Sequence, residues 1–297
     1  MTSQPIHGNY SGYYTKRPSI ADLRIASLPE NLFRNKTVLD VGCNEGWVSM
    51  EIAQRYGARR VIGVDIDETL IRNAWKRRKI VWSLQNSELT SKSRDDRHPH
   101  VKRRELGRHE DGIVPEAIDH SADSLMSLRE AHYFPASLSF SFGTLPLSTV
   151  GAEDPVAFPH NVTFRTANWV ASSGIPEDSG GYDVILALSI TKWIHLNDGD
   201  EGILAFFKRV FETLRPGGKF ILEPQSWDGY AKAKRMDPRL KETAAGIKLR
   251  PEDFGKLLQE FGFSIAERLG PIGEGGFRRD VDIFMKPARD GDSTCQT

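Results

Sequence analysis

Residues 37–85 alternate in a way that few folds accommodate. "TVLDVG" (37–42) is a short β-branched run closing on glycine, and "WVSMEIAQRYG" (47–57) carries a helical apolar period. "RRVIGVDI" (59–66) is a second short apolar run, and "DETLIRNAWKRRKIVWSLQ" (67–85) is a helix with an acidic start. Strand, helix, strand, helix at this spacing means βαβ units and a parallel sheet. The pattern breaks over 86–157, a stretch rich in Ser, Asp, Arg, His and Pro that is too polar for a core of its own. It reads as a long, partly disordered insertion whose later part, "YFPASLSFSFGTLPL" (133–147), is apolar enough to pack back on the domain.

The alternation resumes with strands at 161–170 and 182–190, a helix at about 200–214, a Pro–Gly turn "RPGG" (215–218) and a strand at 219–225. A helix over 250–263 and strands near 264–269 and 279–286 complete the pattern. The expected fold is α/β, a Rossmann-like, seven-stranded and mostly parallel sheet with helices on both faces. One domain is expected over 1–297, with 1–36 as an N-terminal lid and 288–297 as a flexible tail.

Composition narrows the function. The 297 residues balance 40 Lys and Arg against 40 Asp and Glu, which argues against a non-specific nucleic-acid coat. Two cysteines, Cys43 and Cys295, give neither a disulfide framework nor zinc spacing, so no metal is expected. No apolar run is long enough to span a bilayer, and the N-terminus lacks the pattern of a signal peptide; an intracellular protein is expected. Charge is nevertheless uneven: residues 231–250 hold seven Lys and Arg against Asp237 and Glu242.

"LDVGCNEGW" (39–47) joins the first strand to the first helix. Gly42 and Gly46 let backbone turn tightly and approach a ligand beside a helix N-terminus. Asp65 ends the second strand, at a distance that suits ribose hydroxyls in doubly wound sheets. NAD loops read G-x-G-x-x-G, whereas here Asn44 stands between the two glycines, and Asp40 suits a cationic ligand better than a pyrophosphate. The loop resembles the D-x-G-x-G-x-G element of S-adenosylmethionine-dependent methyltransferases, and "LRPGG" resembles the turn before their fifth strand. Cys43 reads as a backbone position in the loop, because no charged partner is nearby to make it a nucleophile.

Ahead of the first strand, "GNYSGYYTKR" (8–17) has three tyrosines, two cations and no apolar face, as a lid over the strand ends would. With "VLDVGCNEG", "VIGVDID", "FPASL", "LSITKWIHLN.GDEG", "LRPGG", "LEPQ.W" and "GF.R", it resembles the methylphosphate capping enzymes, the bicoid-interacting-3-type RNA methyltransferases of class I. The resemblance implies S-adenosylmethionine as cofactor, leaving as S-adenosylhomocysteine. It implies cofactor contacts from Tyr14, Arg24, Gly42, Cys43, Asn44, Gly46, Asp65, Ile66, Asn168, Trp169 and Leu188, with Asn168 and Trp169 at the adenine. Tyr13, Arg17 and Lys192 would surround the acceptor phosphate. His195 joins the catalytic candidates as a residue that either touches RNA or caps a strand, and Phe277 and Arg278 would stack on or steer RNA.

The implied substrate is a small non-coding RNA with a 5′ triphosphate, methylated on its γ-phosphate (a 5′ monophosphate in one branch of the family). The implied location is nuclear, with the cytoplasm as alternative and protein partners in a ribonucleoprotein left open. The chain departs from the family pattern at Trp169, where tyrosine is usual, in the insertion and near residues 18–24. Other readings are a small-molecule or protein methyltransferase, which would need a base near the acceptor, and a non-catalytic RNA-stabilising subunit with the same motifs.

Overall fold

A computed structural model describes residues 7, 22–83, 143–144, 156–171, 174–273 and 277–288. The chain divides into two compact units, Met1–Arg78 with Ser148–Thr297, and Lys79–Leu147. The sheet belongs to the first. Most of the expected insertion, the segment 8–17 and the tail after 288 lie outside the described residues.

Seven strands form one sheet: β1 (Thr37–Val41), β2 (Arg60–Asp65), β3 (Val162–Thr166), β4 (Tyr182–Leu188), β5 (Leu214–Glu223), β6 (Ser264–Ile272) and β7 (Arg279–Met285), in the order β3-β2-β1-β4-β5-β7-β6. The first five pair in parallel, and β7 runs against both β5 and β6. The central strands are buried at almost every residue, which is why they read as continuous apolar runs and not as alternations. Edge strand β6 is mostly exposed and carries Glu267, Arg268 and Pro271, a composition that discourages pairing with another chain.

The described helices are α1 (Leu23–Ala26), α2 (Trp47–Arg55), α3 (Glu68–Ser83), α4 (Thr191–Thr213), α5 (Asp228–Ala233), α6 (Pro238–Gly246) and α7 (Phe254–Glu260). Phe206, Phe207 and Val210 of α4 and Phe254 and Leu258 of α7 share a core with Ile185, Phe220 and Phe284 of the sheet. Full burial of each such side chain is worth about 1.5–3 kcal/mol.

Several boundaries differ from the sequence reading. The third strand stops at Thr166, so Asn168 and Trp169 lie beyond it. The fourth, expected to run to 190, stops at Leu188: Ser189 is left-handed (φ 61°), and "TKWIHLN" opens a helix. That helix continues to Thr213 across Gly199, whose φ of 67° and ψ of −163° divide it into two helical stretches. "RPGG" is not a turn ahead of β5 but part of it, at a register shift between Tyr182 and Val184. The basic run 231–250 takes in the end of α5 and all of α6, which the sequence reading did not separate.

Candidate active site

A cavity of about 770 Å³ opens at the carboxyl ends of the parallel strands, reached by Val41, Val64 and Leu188. Ligands bind there in open α/β sheets, because the loops leaving the strands diverge. A smaller cavity of about 440 Å³ at the opposite strand ends is lined by Lys36, Asp183 and Lys219.

The glycine loop forms one wall. The backbone N–H groups of Gly42 and Cys43 both donate to Val64 O, at 2.8 and 3.0 Å, fastening the loop to β2. Gly42 has a φ of 75°, and a Cβ there would run into the Ile190 side chain; only glycine fits. Asn44 is also left-handed (φ 53°), and its N–H donates to Asp65 Oδ2 at 2.9 Å. Asp67 N–H donates to Oδ1 at 3.0 Å. The Asp65 carboxylate is thus held by backbone donors while it borders the cavity, where it can accept from a ligand hydroxyl. Burial raises the Asp65 pKa, and the backbone N–H groups of Asp67, Asn44 and Ile66 oppose that shift.

The opposite wall comes from the segment after β3. Asn168 lines the cavity, its Oδ1 accepting from Ala171 N–H at 3.1 Å. Trp169 contributes to the wall but is only 2% exposed. Its indole N–H donates to both carboxylate oxygens of Asp178, at 3.1 and 3.2 Å, and the Arg209 guanidinium lies 4.7 Å from its ring centroid. Asp178 also accepts from Tyr182 Oη at 2.6 Å and from Arg209 at 3.0 Å, so the ring is fixed from behind.

The remaining wall is mostly cationic, although Asp198 of α4 also lines it, its pKa raised by burial. Lys192 at the start of α4, Lys232 of α5, Arg239 of α6 and Arg279 of β7 all line the cavity. Burial, then Arg279 and Lys232, push the Lys192 pKa down to about 8. Its ammonium lies 4.7 Å from the Trp193 ring centroid, and its backbone N–H donates to Gln225 Oε1 at 3.1 Å. Three cations close enough to repel one another, beside a pocket with a ribose-type carboxylate, suit a small molecule at one end and an anion at the other.

Similarity to known proteins agrees. A family model described as Bicoid-interacting protein 3 matches residues 182–286, and a methyltransferase-domain model matches residues 38–96. The chain is 35% identical over 289 residues to the 7SK snRNA methylphosphate capping enzyme of Mus musculus, covering 94% of this chain and 40% of that protein. It is 32% identical over 292 residues to the U6 snRNA methylphosphate capping enzyme Amus of Drosophila melanogaster, covering 94% of this chain and 74% of that protein. The chain belongs to the bicoid-interacting protein 3 family. Its fold is that of class I methyltransferases: the N-methyltransferase NodS from Bradyrhizobium japonicum WM9, in complex with S-adenosyl-l-homocysteine, matches with a TM-score of 0.51 at 12% identity, over 95% of this chain and 94% of that one.

Bicoid-interacting protein 3 family members use S-adenosylmethionine, and the cavity fits it. The Asp65 carboxylate can take the ribose, Gly42 leaves room for close approach, and Ile66, Asn168 and Trp169 offer an apolar slot with one amide. Of the residues expected to contact the cofactor, Gly42, Asn44, Asp65, Ile66, Asn168, Trp169 and Leu188 all line this cavity.

Others are placed differently. Gly46 is the left-handed residue (φ 75°) ahead of α2, where a Cβ would stand 2.6 Å from the Phe164 ring; it serves packing, not the cavity wall. The Cys43 side chain is 2% exposed with its thiol pushed well up by burial, in accord with a backbone role. Asp40 is also behind the loop, accepting from Ser49 Oγ at 2.6 Å, with burial raising its pKa to about 6. Arg24 is 2% exposed and is held by Asp22 at 2.6 Å and Glu223 at 2.5 Å; it stands beneath the site and does not line the cavity.

Among the residues expected at the acceptor or the RNA, Lys192 and Phe277 line the cavity, whereas Tyr13 and Arg17, like the expected cofactor contact Tyr14, lie outside the described residues. His195 is a correction: it is fully buried, its Nδ1 is 3.1 Å from Tyr230 Oη, and its Nε2 is 2.8 Å from Asp200. Desolvation lowers its pKa, and Asp200 also accepts from the backbone of Lys248 and Leu249, so the ring joins α4 to the segments after it. Arg278 is exposed, and its neighbour Arg279 is the one at the cavity. Arg279, Lys232, Arg239 and Gln225 were missed from sequence. Among the described residues no group of three or more His, Cys, Asp or Glu could hold a metal ion.

Proposed function

We propose that this chain transfers a methyl group to the 5′ γ-phosphate of a small non-coding RNA, with the nucleus as its place of action. The observation that carries the reading is the juxtaposition, in one cavity, of the Asp65 wall and the cations Lys192, Lys232 and Arg279. The relatives named for capping 7SK and U6 small nuclear RNA support it; the chain spans 40% of the length of the mouse enzyme, so activity and substrate are inferred for it.

S-adenosylmethionine supplies an electrophilic methyl group when bound. A phosphate oxygen is already anionic and needs no general base, which fits a cavity whose acceptor half offers cations and whose one expected imidazole, His195, is turned into the core. Lys192 and Arg279 hold the phosphate by charge and hydrogen bonds. Alignment of the acceptor with the methyl carbon and sulfur can lower the barrier by about 7–11 kcal/mol.

The lid lies ahead of Asp22, with Tyr13 and Arg17 as further phosphate donors and Tyr14 at the cofactor. The rest of the expected 1–36 lid is a correction, because Ile25, Leu28, Leu32 and Phe33 are buried in the core and Lys36 lines the cavity at the opposite strand ends. His7 lines the cavity, which supports a role for the N-terminal segment at the site. The whole remains one methyltransferase domain carrying an insertion at 86–157.

The test is methyl transfer from labelled S-adenosylmethionine to RNAs differing only at the 5′ end. The triphosphate RNA accepts the label and the 5′-hydroxyl RNA does not. Internal methylation of the 5′-hydroxyl RNA would sink this reading.

A further inference from the structure

Beneath the cationic wall lies a buried charge that the mechanism above does not use. Glu223 ends β5, pairs in register with Leu188 at the end of β4, and is wholly buried. Its Oε2 accepts from Ser189 Oγ at 2.6 Å and from Arg24 at 2.5 Å. Its Oε1 has no hydrogen-bond partner and stands 3.7 Å from an Arg279 nitrogen. That same nitrogen donates to Ser189 Oγ at 2.5 Å. The serine hydroxyl therefore stands between the buried carboxylate and the one guanidinium of this group that faces the cavity.

Ser189 occupies this place under backbone strain. Its φ of 61° is in the left-handed region, where glycine is at ease and a side chain is not. The strained conformer is held by Ser189 N–H donating to Glu223 O at 3.1 Å and by Gln225 Nε2 donating to Ser189 O. If the position required only a sharp turn from β4 into α4, glycine would make it more easily. The hydroxyl is what glycine lacks, and it joins Glu223 to Arg279 by accepting from the guanidinium and donating to the carboxylate.

We propose that Ser189 and Glu223 are positioning residues that aim Arg279 at the anionic acceptor. The proposal rests on the reading that the cavity takes a 5′ phosphate. Arg279 begins β7 beside Lys192 and repels it, and the Ser189 hydroxyl and Glu223 carboxylate hold the guanidinium against that repulsion. The Glu223 carboxylate, 3.7 Å from the guanidinium, holds it at its root while Arg279 still lines the cavity. The carboxylate also tempers the positive charge, so the acceptor oxygen is oriented without being fully neutralised.

Ser189→Gly is the decisive variant, because it relieves the strain and removes only the hydroxyl. A purely structural serine predicts a lowered melting temperature and an unchanged site. The positioning role predicts the opposite pattern. The melting temperature holds or rises, S-adenosylhomocysteine affinity stays within about twofold, and inorganic tripolyphosphate binds the S-adenosylhomocysteine-loaded protein about tenfold more weakly by calorimetry. In RNA transfer, kcat falls by about tenfold or more with a smaller change in KM. Glu223→Gln should weaken tripolyphosphate in the same direction, and Ser189→Gly keeps the test open if that variant folds poorly. Tripolyphosphate bound equally well by wild type and Ser189→Gly overturns the proposal. If wild type fails to methylate any 5′-phosphate RNA, the reading of the substrate falls, while the tripolyphosphate titration still decides the role of Ser189.

Discussion

Lys192 holds its charge against burial and two neighbouring cations, and its pKa near 8 gives the site a pH response. Between about pH 8 and 10.5 the unfolded chain keeps this proton while the native chain has lost it. Unfolding then takes up a proton, so the Lys192 contribution to stability rises with pH across that window and is least favourable below it. A bound phosphate reverses the preference by stabilising the ammonium. RNA affinity should therefore decline as pH rises from 7 to 9, and Lys192→Met should remove most of that slope while slowing transfer by roughly 10²-fold. A pH-independent affinity in the wild type would show that the phosphate lies away from Lys192. Asp65 answers to a different measurement. Asp65→Ala removes the acceptor for ribose hydroxyls and should cost about 1.5–3 kcal/mol of S-adenosylmethionine binding, read by calorimetry on a folded variant.

Helix α4 carries both a site residue and a structural one, three positions apart on the chain. Lys192 faces the cavity, whereas His195 is locked between Tyr230 and Asp200. His195→Ala should lower stability by about 2–4 kcal/mol, through a cavity and two lost hydrogen bonds, with cofactor affinity unchanged. A stable His195→Ala variant that no longer transfers methyl groups would return the imidazole to the chemistry. The difference between these two residues was not legible in the sequence, because "LSITKWIHLN" has the apolar content of a strand. What ends β4 is the left-handed turn at Ser189, held by Glu223, and such long-range bonds leave no local signal. The β1–α2–β2 unit was legible for the opposite reason: its apolar periods and loop glycines are local, and Gly42, Asn44 and Asp65 followed from them. Arg278 and Arg279 are adjacent, and only the register of β7 on β5 decides which one reaches the cavity. Helices α5 and α6 bury only Tyr230, Ala233 and Leu240, too few apolar positions to stand out within a basic run.

All seven strands lie outside residues 84–155, and β2 pairs directly with β3 across that sequence gap. Deleting about residues 88–128 should accordingly change stability by no more than about 1 kcal/mol, since closure entropy varies slowly with loop length. A large fall in melting temperature would give the segment a share in the core. The direction of β7 has a practical side. Because this strand runs against the others, it begins with Arg279 at the mouth of the cavity and ends with Met285 opposite Lys219 and Ser264, at the far rim of the sheet. Lys286 is still fastened there, its N–H donating to Gly218 O at 3.0 Å. A bead, chip or fusion partner tethered through residues beyond Lys286 would therefore grip the molecule from behind, leaving the mouth turned outward to meet an RNA end.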